Sequence, residues 1–226
     1  MFFILQGYCP SKFIQLNYDQ ETDDFIQTCY HKSSWIFTHL FNFFARAILS
    51  WFMTATSING LLRRGSMFVF SSNQFQMLVD NVTAIKRDTD SQLLDLGAGD
   101  GKVTKIMAQY FSSTHCTEIS STMVKLLSED GFKILDHENW AENDTLYDLI
   151  SCLNILDRCD KPLTMLQKVR TKLKLNGRIL LALVLPLKQY VELSTNNHEP
   201  IEKIPLHGDT VEEQLESLDN MVLKPI

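Results

Sequence analysis

The sequence predicts an α/β domain, a doubly wound and mostly parallel sheet preceded by a helical extension. Three observations carry this expectation. From Leu93 onward, short apolar runs alternate with segments of helical periodicity. Several of the apolar runs are near-continuous, as in Ile179–Leu185, which is the pattern of strands covered on both faces. The first run, Gln92–Leu96, leads into three glycines at alternate positions, Gly97, Gly99 and Gly101, before a helical segment opens at Lys102. Sheets of this kind take ligands at the carboxyl ends of their strands, near the switch in strand order.

At 226 residues, 45% of them apolar, the chain is long enough for one domain with a real core plus a modest extension. Its net charge of −6 argues against a nucleic-acid partner, whose binding surface is ordinarily basic. The five cysteines (Cys9, Cys29, Cys116, Cys152 and Cys159) contain no C-x-x-C pair and are odd in number, so neither a metal site nor a disulfide framework is expected. The apolar start, Met1–Leu5, is too short for a signal peptide and lacks a basic flank, so no leader is visible.

Taken in order, residues 1–90 read as a helical extension and cover segment, and 91–226 as the ligand-binding domain. Residues 1–32 are weakly patterned. Trp35–Met53 is the most apolar stretch and close to the ~20 residues of a membrane span. Thr38, Asn42, Arg46 and Ser50 recur every four positions, however, and form one polar stripe on a helix. The segment is therefore read as a mostly buried helix with one solvated or ligand-facing edge, with a membrane-surface helix as the alternative. Asn59-Gly60 and Gly65-Ser66 mark turns around Arg63 and Arg64, which lie either in a solvated loop or in a cover over the site. Ser71 or Ser72 caps a helix over 73–82. Strands are then expected at 92–96, 114–118, 133–136, 147–153 and 178–185, with helices at 102–111, 122–130 and 162–173 between them.

Glycine spacing separates two nucleotide readings. A dinucleotide loop, G-x-G-x-x-G, needs its third glycine where this chain has Lys102. G-x-G-x-G with an acid two residues upstream, here Asp95, instead resembles motif I of the class I S-adenosyl-L-methionine (SAM) methyltransferases, in which the acid and the loop (Gly97, Ala98, Gly99, Gly101) hold the cofactor's methionine part. Free N–H groups at the following helix start suit polar ligand groups. Glu118, ending the second strand, has two acceptor oxygens for the two hydroxyls of a ribose, which fits either cofactor class. After the third strand, Asn139 can read an adenine edge and Trp140 can stack on its face, or Trp140 is a large core residue. Beyond the fourth strand stand Asn154 and Asp157. An Asp that accepts one imidazole N–H fixes the tautomer and leaves the other nitrogen nucleophilic, although Asp157 also reads as a turn acid ahead of Pro162.

The stretches TSINGLLRRGSMFVFS, LLDLGAGDGKVTKIM, TEIS, LISCLNILDRCDKPLTML and GRILLALVLP together resemble the DREV-type methyltransferase-like family over about residues 34–191 and again at the final residues. The resemblance implies a Rossmann-like SAM methyltransferase domain at 91–226. It implies transfer of a methyl from SAM to the π nitrogen of histidine in His-x-His motifs of protein substrates. It implies that Asp95, Gly97, Gly99 and Glu118 bind SAM while Asn154 and Asp157 meet the imidazole. Family members associate with the endoplasmic reticulum or mitochondria, and a monomer is expected. After Pro186 the family has a long helix, read here at 211–218, then an antiparallel strand pair that helps close the substrate site. Met221–Ile226 resembles the family's last residues, so the intervening strand and loop are expected to be missing and the pair incomplete. That departure raises a second reading, a SAM-binding but catalytically impaired interaction module. A third is a small-molecule methyltransferase.

Overall fold

The computed structural model describes residues 16–34, 58, 67–80, 90–191 and 197–218. The apolar 35–53 segment, the turns around Arg63 and Arg64, and 219–226 lie outside the described residues. The elements are α1 (Gln20–Ser34), α2 (Ser72–Asp80), β1 (Gln92–Leu96), α3 (Lys102–Ala108), β2 (Ser113–Thr117), α4 (Ser121–Glu129), β3 (Lys133–Leu135), β4 (Tyr147–Leu153), α5 (Pro162–Lys172), β5 (Leu173–Ala182) and α6 (Val211–Leu218), with a short 3-10 turn at Trp140–Glu142.

The five strands form one sheet in the order β3-β2-β1-β4-β5, every pairing parallel. This is the doubly wound sheet expected from the alternation. Successive residues of β1 face opposite sides, as the strand period requires. Leu94 and Leu96 enter a core with Trp140, Ile150, Leu156, Leu166 and Val169. Leu93 enters a second core with Phe70, Phe75, Met107, Tyr110 and Leu149. Strand order reverses between β1 and β4, where Leu96 is paired with Cys152. The glycine loop leaving β1 and the loop leaving β4 therefore emerge side by side.

Several boundaries differ from expectation. The helix after the glycine loop ends at Ala108 rather than 111, because Tyr110 and Phe111 make tight bonds back to Met107 and Ala108. The fifth strand begins at Leu173 and ends at Ala182 instead of spanning 178–185. Leu173 pairs with Tyr147 and Arg178 with Leu149, so the strand bulges over the residues between. Leu175 stands fully exposed on that bulge, and a side chain at Gly177 would lie 2.7 Å from the Tyr147 carbonyl. Lys174–Gly177 carries turn chemistry, which hid a strand whose pairing is tertiary.

Caps join α1 to the start of α2. Asp19 caps α1, accepting the Thr22 N–H at 3.0 Å and its hydroxyl at 2.6 Å. Its other oxygen accepts the Ser71 hydroxyl. Ser71 and Gln74 form a reciprocal capping box on α2: the Gln74 N–H donates to Ser71 Oγ at 3.1 Å, and the Ser71 N–H to Gln74 Oε1 at 2.9 Å. Glu21 accepts the Ser72 N–H at 2.9 Å, and Phe25 stacks on Phe68 with centroids 5.0 Å apart. Two helix starts thus share carboxylates across the join.

Candidate functional site

The glycine loop is tied to the end of β2. Gly97 and Ala98 both donate to the Thr117 carbonyl at 3.0 Å. Gly99 donates to Glu118 Oε2 at 2.9 Å, and Gly101 to the Ala98 carbonyl at 3.1 Å. These loop N–H groups are therefore engaged within the chain. Gly97 and Gly99 have φ of 70° and 58°, a region that side chains rarely occupy. Their surroundings differ. A Cβ on Gly97 would stand 2.6 Å from Ile155 Cδ1, whereas one on Gly99 would meet nothing within 4 Å. Gly97 is glycine because the β4 exit loop packs on it. Gly99 opens on space beside the loop, where a ligand can approach the main chain.

Glu118 lies one residue beyond the end of β2, half-buried. Its Oε1 accepts the N–H groups of Ile119 and Ser120 at 2.9 Å each. With Gly99 on Oε2, the carboxylate joins the loop to the start of α4, where Ser120 is the cap. Oε1 already accepts two bonds, whereas Oε2 accepts one and retains a lone pair for a hydroxyl donor at the open side of Gly99.

Asp95 is placed differently from the ligand-facing acid the motif implied. It is 2% exposed. Oδ2 accepts the Thr104 hydroxyl and Oδ1 the Ser151 hydroxyl, each at 2.6 Å. The carboxyl thereby pins α3 and β4 to β1 beneath the loop. Burial, with a smaller contribution from the charge of Glu118, raises its pKa to about 6 against the pull of the two hydroxyl bonds. Thr104 and Ser151 were not anticipated as site residues. The signal for Ser151 was a lone hydroxyl inside the apolar run LISCL.

Trp140 is 4% exposed and packs in the core with Leu94, Leu96 and Ile150. The ring is a core residue here and offers no open face to a base. Asn139 is exposed at the start of the 3-10 turn, its N–H held by Asp136 at 2.9 Å. Those backbone bonds hold the Asp136 carboxyl below its usual range.

The β4 exit brings the remaining two expected residues beside the loop. Asn154 has φ of 52°, a left-handed turn that asparagine tolerates better than most residues, and its N–H donates to the Ala182 carbonyl at 2.9 Å. Asp157 is buried. Its Oδ2 lies 3.7 Å from the exposed Arg158 Nε, while its Oδ1 is buried with no hydrogen-bond partner among the described residues. An unpartnered buried carboxylate oxygen is rare, because leaving an acceptor dry and unpaired is costly. The chain continues from β5 through a cis Leu185–Pro186 bond and laces back to this loop. Tyr190 donates its N–H to the Asp157 carbonyl at 2.8 Å, and Glu202 to the Asp160 carbonyl at 2.9 Å. The Glu202 carboxylate also caps α5 through the N–H and hydroxyl of Thr164. Tyr190, Glu202 and Gln189 were missed by sequence reasoning, since only the fold brings 187–191 and 197–206 to the β4 exit. The nearby Cys159 thiol is pushed up to about 12 by burial, so it is protonated and inert.

A family model matches residues 5–226, described as DREV methyltransferase. The chain belongs to the DREV methyltransferase family. The open space at Gly99 beside the Glu118 carboxylate fits a nucleoside-bearing cofactor. Solved structures that match include the YcgJ protein from Bacillus subtilis, 21% identical over 47% of this chain and 50% of that one, with a TM-score of 0.38. Another is CalS10, an amino pentose methyltransferase from Micromonospora echinaspora with SAM bound, at 16% identity, 55% and 61% coverage and a TM-score of 0.43. A third is magnesium protoporphyrin IX methyltransferase from Synechocystis with SAH bound, at 16% identity, 60% and 70% coverage and 0.42. The chain spans about half the length of the first of these. Such distant matches carry nothing about this chain's chemistry.

Proposed function

We propose that this DREV-family chain is a SAM-dependent protein-histidine methyltransferase that modifies the π nitrogen of histidines in His-x-His segments. The observation that supports it is Asp157 Oδ1, a buried acceptor with no donor among the described residues, on the loop that emerges beside the glycine turn. An imidazole supplies the missing donor. When its τ N–H donates to Asp157, the π nitrogen is left with a free lone pair, the state a nucleophile needs. The same carboxylate then balances the positive charge that develops on the ring as the new N–C bond forms. SAM, when bound, supplies an electrophilic methyl group on a sulfonium. Gly97, Ala98 and Gly99 with Glu118 would hold it, and Asn154 fixes the turn that presents Asp157. The proton released from the alkylated ring passes to solvent, since Asp157 works as an anion. Positioning of this kind supplies much of the rate.

The test is incubation of the full chain with methyl-labelled SAM and a His-x-His peptide, followed by hydrolysis and amino-acid analysis. Label in π-methylhistidine is expected. Label in τ-methylhistidine alone, or in no histidine at all, overturns the reading. Comparable turnover on a free small imidazole would favour a small-molecule substrate instead.

A further inference from the structure

Among the described residues, two buried side-chain polar atoms lack a partner: Asp157 Oδ1 and Gln189 Nε2. One accepts and the other donates. The orientation of the Gln189 amide is set, because its Oε1 accepts the Ile204 N–H at 2.9 Å and only an oxygen can do so. It is therefore the NH2 that is left over, and a dry donor without an acceptor is as unfavourable as the dry acceptor on Asp157. The two positions are joined through the backbone. Tyr190, the next residue, donates its N–H to the Asp157 carbonyl at 2.8 Å.

Gln189 lines an open cavity of about 280 Å³ whose apolar walls are Leu187, Pro200, Ile204 and Leu206. Its other buried amide is committed. Gln214 accepts the Leu187 N–H at 2.7 Å and donates to the Gly208 carbonyl at 3.0 Å. At the rim, Lys203 pairs with Glu199 at 3.1 Å. The cavity thus has apolar walls, and one residue that lines it, Gln189, carries an uncommitted donor. Its volume lies just below the ~300–1,000 Å³ range of small-molecule pockets. A carbonyl flanked by small apolar groups matches it, and that is the description of a peptide unit.

We propose that this cavity is a peptide subsite that holds the chain next to the acceptor histidine, with Gln189 Nε2 donating to a main-chain carbonyl. The proposal rests on Asp157 receiving the imidazole and adds what holds the rest of the substrate. Gln189 is then a specificity-determining residue for peptide over free imidazole, acting on substrate binding and not on the reacting nitrogen.

The test uses the full chain with S-adenosylhomocysteine added and a fluorescent Gly-His-Ala-His-Gly peptide, read by anisotropy. Gln189→Glu keeps an acceptor for the Ile204 N–H and replaces only the donor. Its peptide Kd should rise about five- to tenfold, the worth of one lost hydrogen bond that leaves two acceptors facing each other. KM for the peptide should rise with it while kcat stays within about twofold, and turnover of 4-methylimidazole, which has no carbonyl, should not change. Gln189→Met, uncharged and of similar length, should weaken peptide binding in the same direction. An unchanged peptide Kd in a variant with wild-type melting temperature overturns the subsite, as does equal weakening on 4-methylimidazole. Peptide binding that depends on Gln189 without any methyl transfer overturns the catalytic reading and leaves the subsite standing. Transfer indifferent to Gln189→Glu does the reverse, and no peptide binding by the wild-type chain overturns both.

Discussion

Asp95→Asn isolates the acid beneath the glycine loop. The wild-type carboxyl is 2% exposed, and burial lifts its pKa from the ordinary 3.8 to about 6. A carboxyl whose folded pKa is raised prefers its proton in the folded state. Its contribution to stability is fully present below the unfolded pKa and is lost as pH rises through the folded one. The window therefore runs from about pH 4 to about pH 6. A shift of roughly two units is worth about 3 kcal/mol, since each unit is 1.36 kcal/mol. Of this, on the order of 2 kcal/mol falls between about pH 4.5 and 7.5. Asparagine has no such titration, and the Thr104 and Ser151 hydroxyls can either donate to it or accept from it. Urea unfolding of both proteins at the two pH values reads the difference. The variant should gain on the wild type by about 2 kcal/mol on going from the lower to the higher pH. A wild-type-minus-variant difference that stays constant with pH would refute the reasoning. The carboxyl would then be ionised in place, and its role would be to carry charge toward the site, not to join α3 and β4 to β1.

Three further outcomes follow from the site. Gly97→Ala and Gly99→Ala share backbone strain of about 1–2 kcal/mol, but only the first meets Ile155 at 2.6 Å. Gly97→Ala should therefore lower the melting temperature more, while Gly99→Ala should cost SAM affinity out of proportion to its stability; calorimetry of both checks the split. Asp157→Ala should lose at least a hundredfold in turnover on a His-x-His peptide, the scale of one oriented catalytic group, while the Kd for S-adenosylhomocysteine stays within twofold. Equal loss of both would make Asp157 a structural residue. Glu118→Gln keeps acceptor capacity on one oxygen but gives up the charge that holds Gly99, Ile119 and Ser120. SAM affinity should fall about tenfold, the worth of a charge-assisted bond of ~1.5 kcal/mol.

Local chemistry was enough to read much of this molecule. Near-continuous apolar strands, alternating with helices, specify a parallel sheet because only two-sided burial rewards them, and β1 and β4 fall where that pattern places them. Glycine spacing chose the cofactor class, since a turn that needs φ > 0 has few sequence solutions. A cap at Ser71 or Ser72 was also legible, and Ser71 caps α2, which begins at Ser72. The tertiary structure decided what depends on neighbours distant in sequence. Asp95 became an internal fastener because Thr104 and Ser151 close on it from two other elements, and Trp140 became core because the sheet lies against it. The early start of β5 came from pairing with Tyr147, against its own turn-like residues. That Asp157 carries an unpartnered acceptor and Gln189 an unpartnered donor could not be read from either residue. Hydrogen-bond satisfaction is counted over the folded neighbourhood, and these two positions, more than thirty residues apart in the chain, are linked through the Tyr190 N–H on the Asp157 carbonyl.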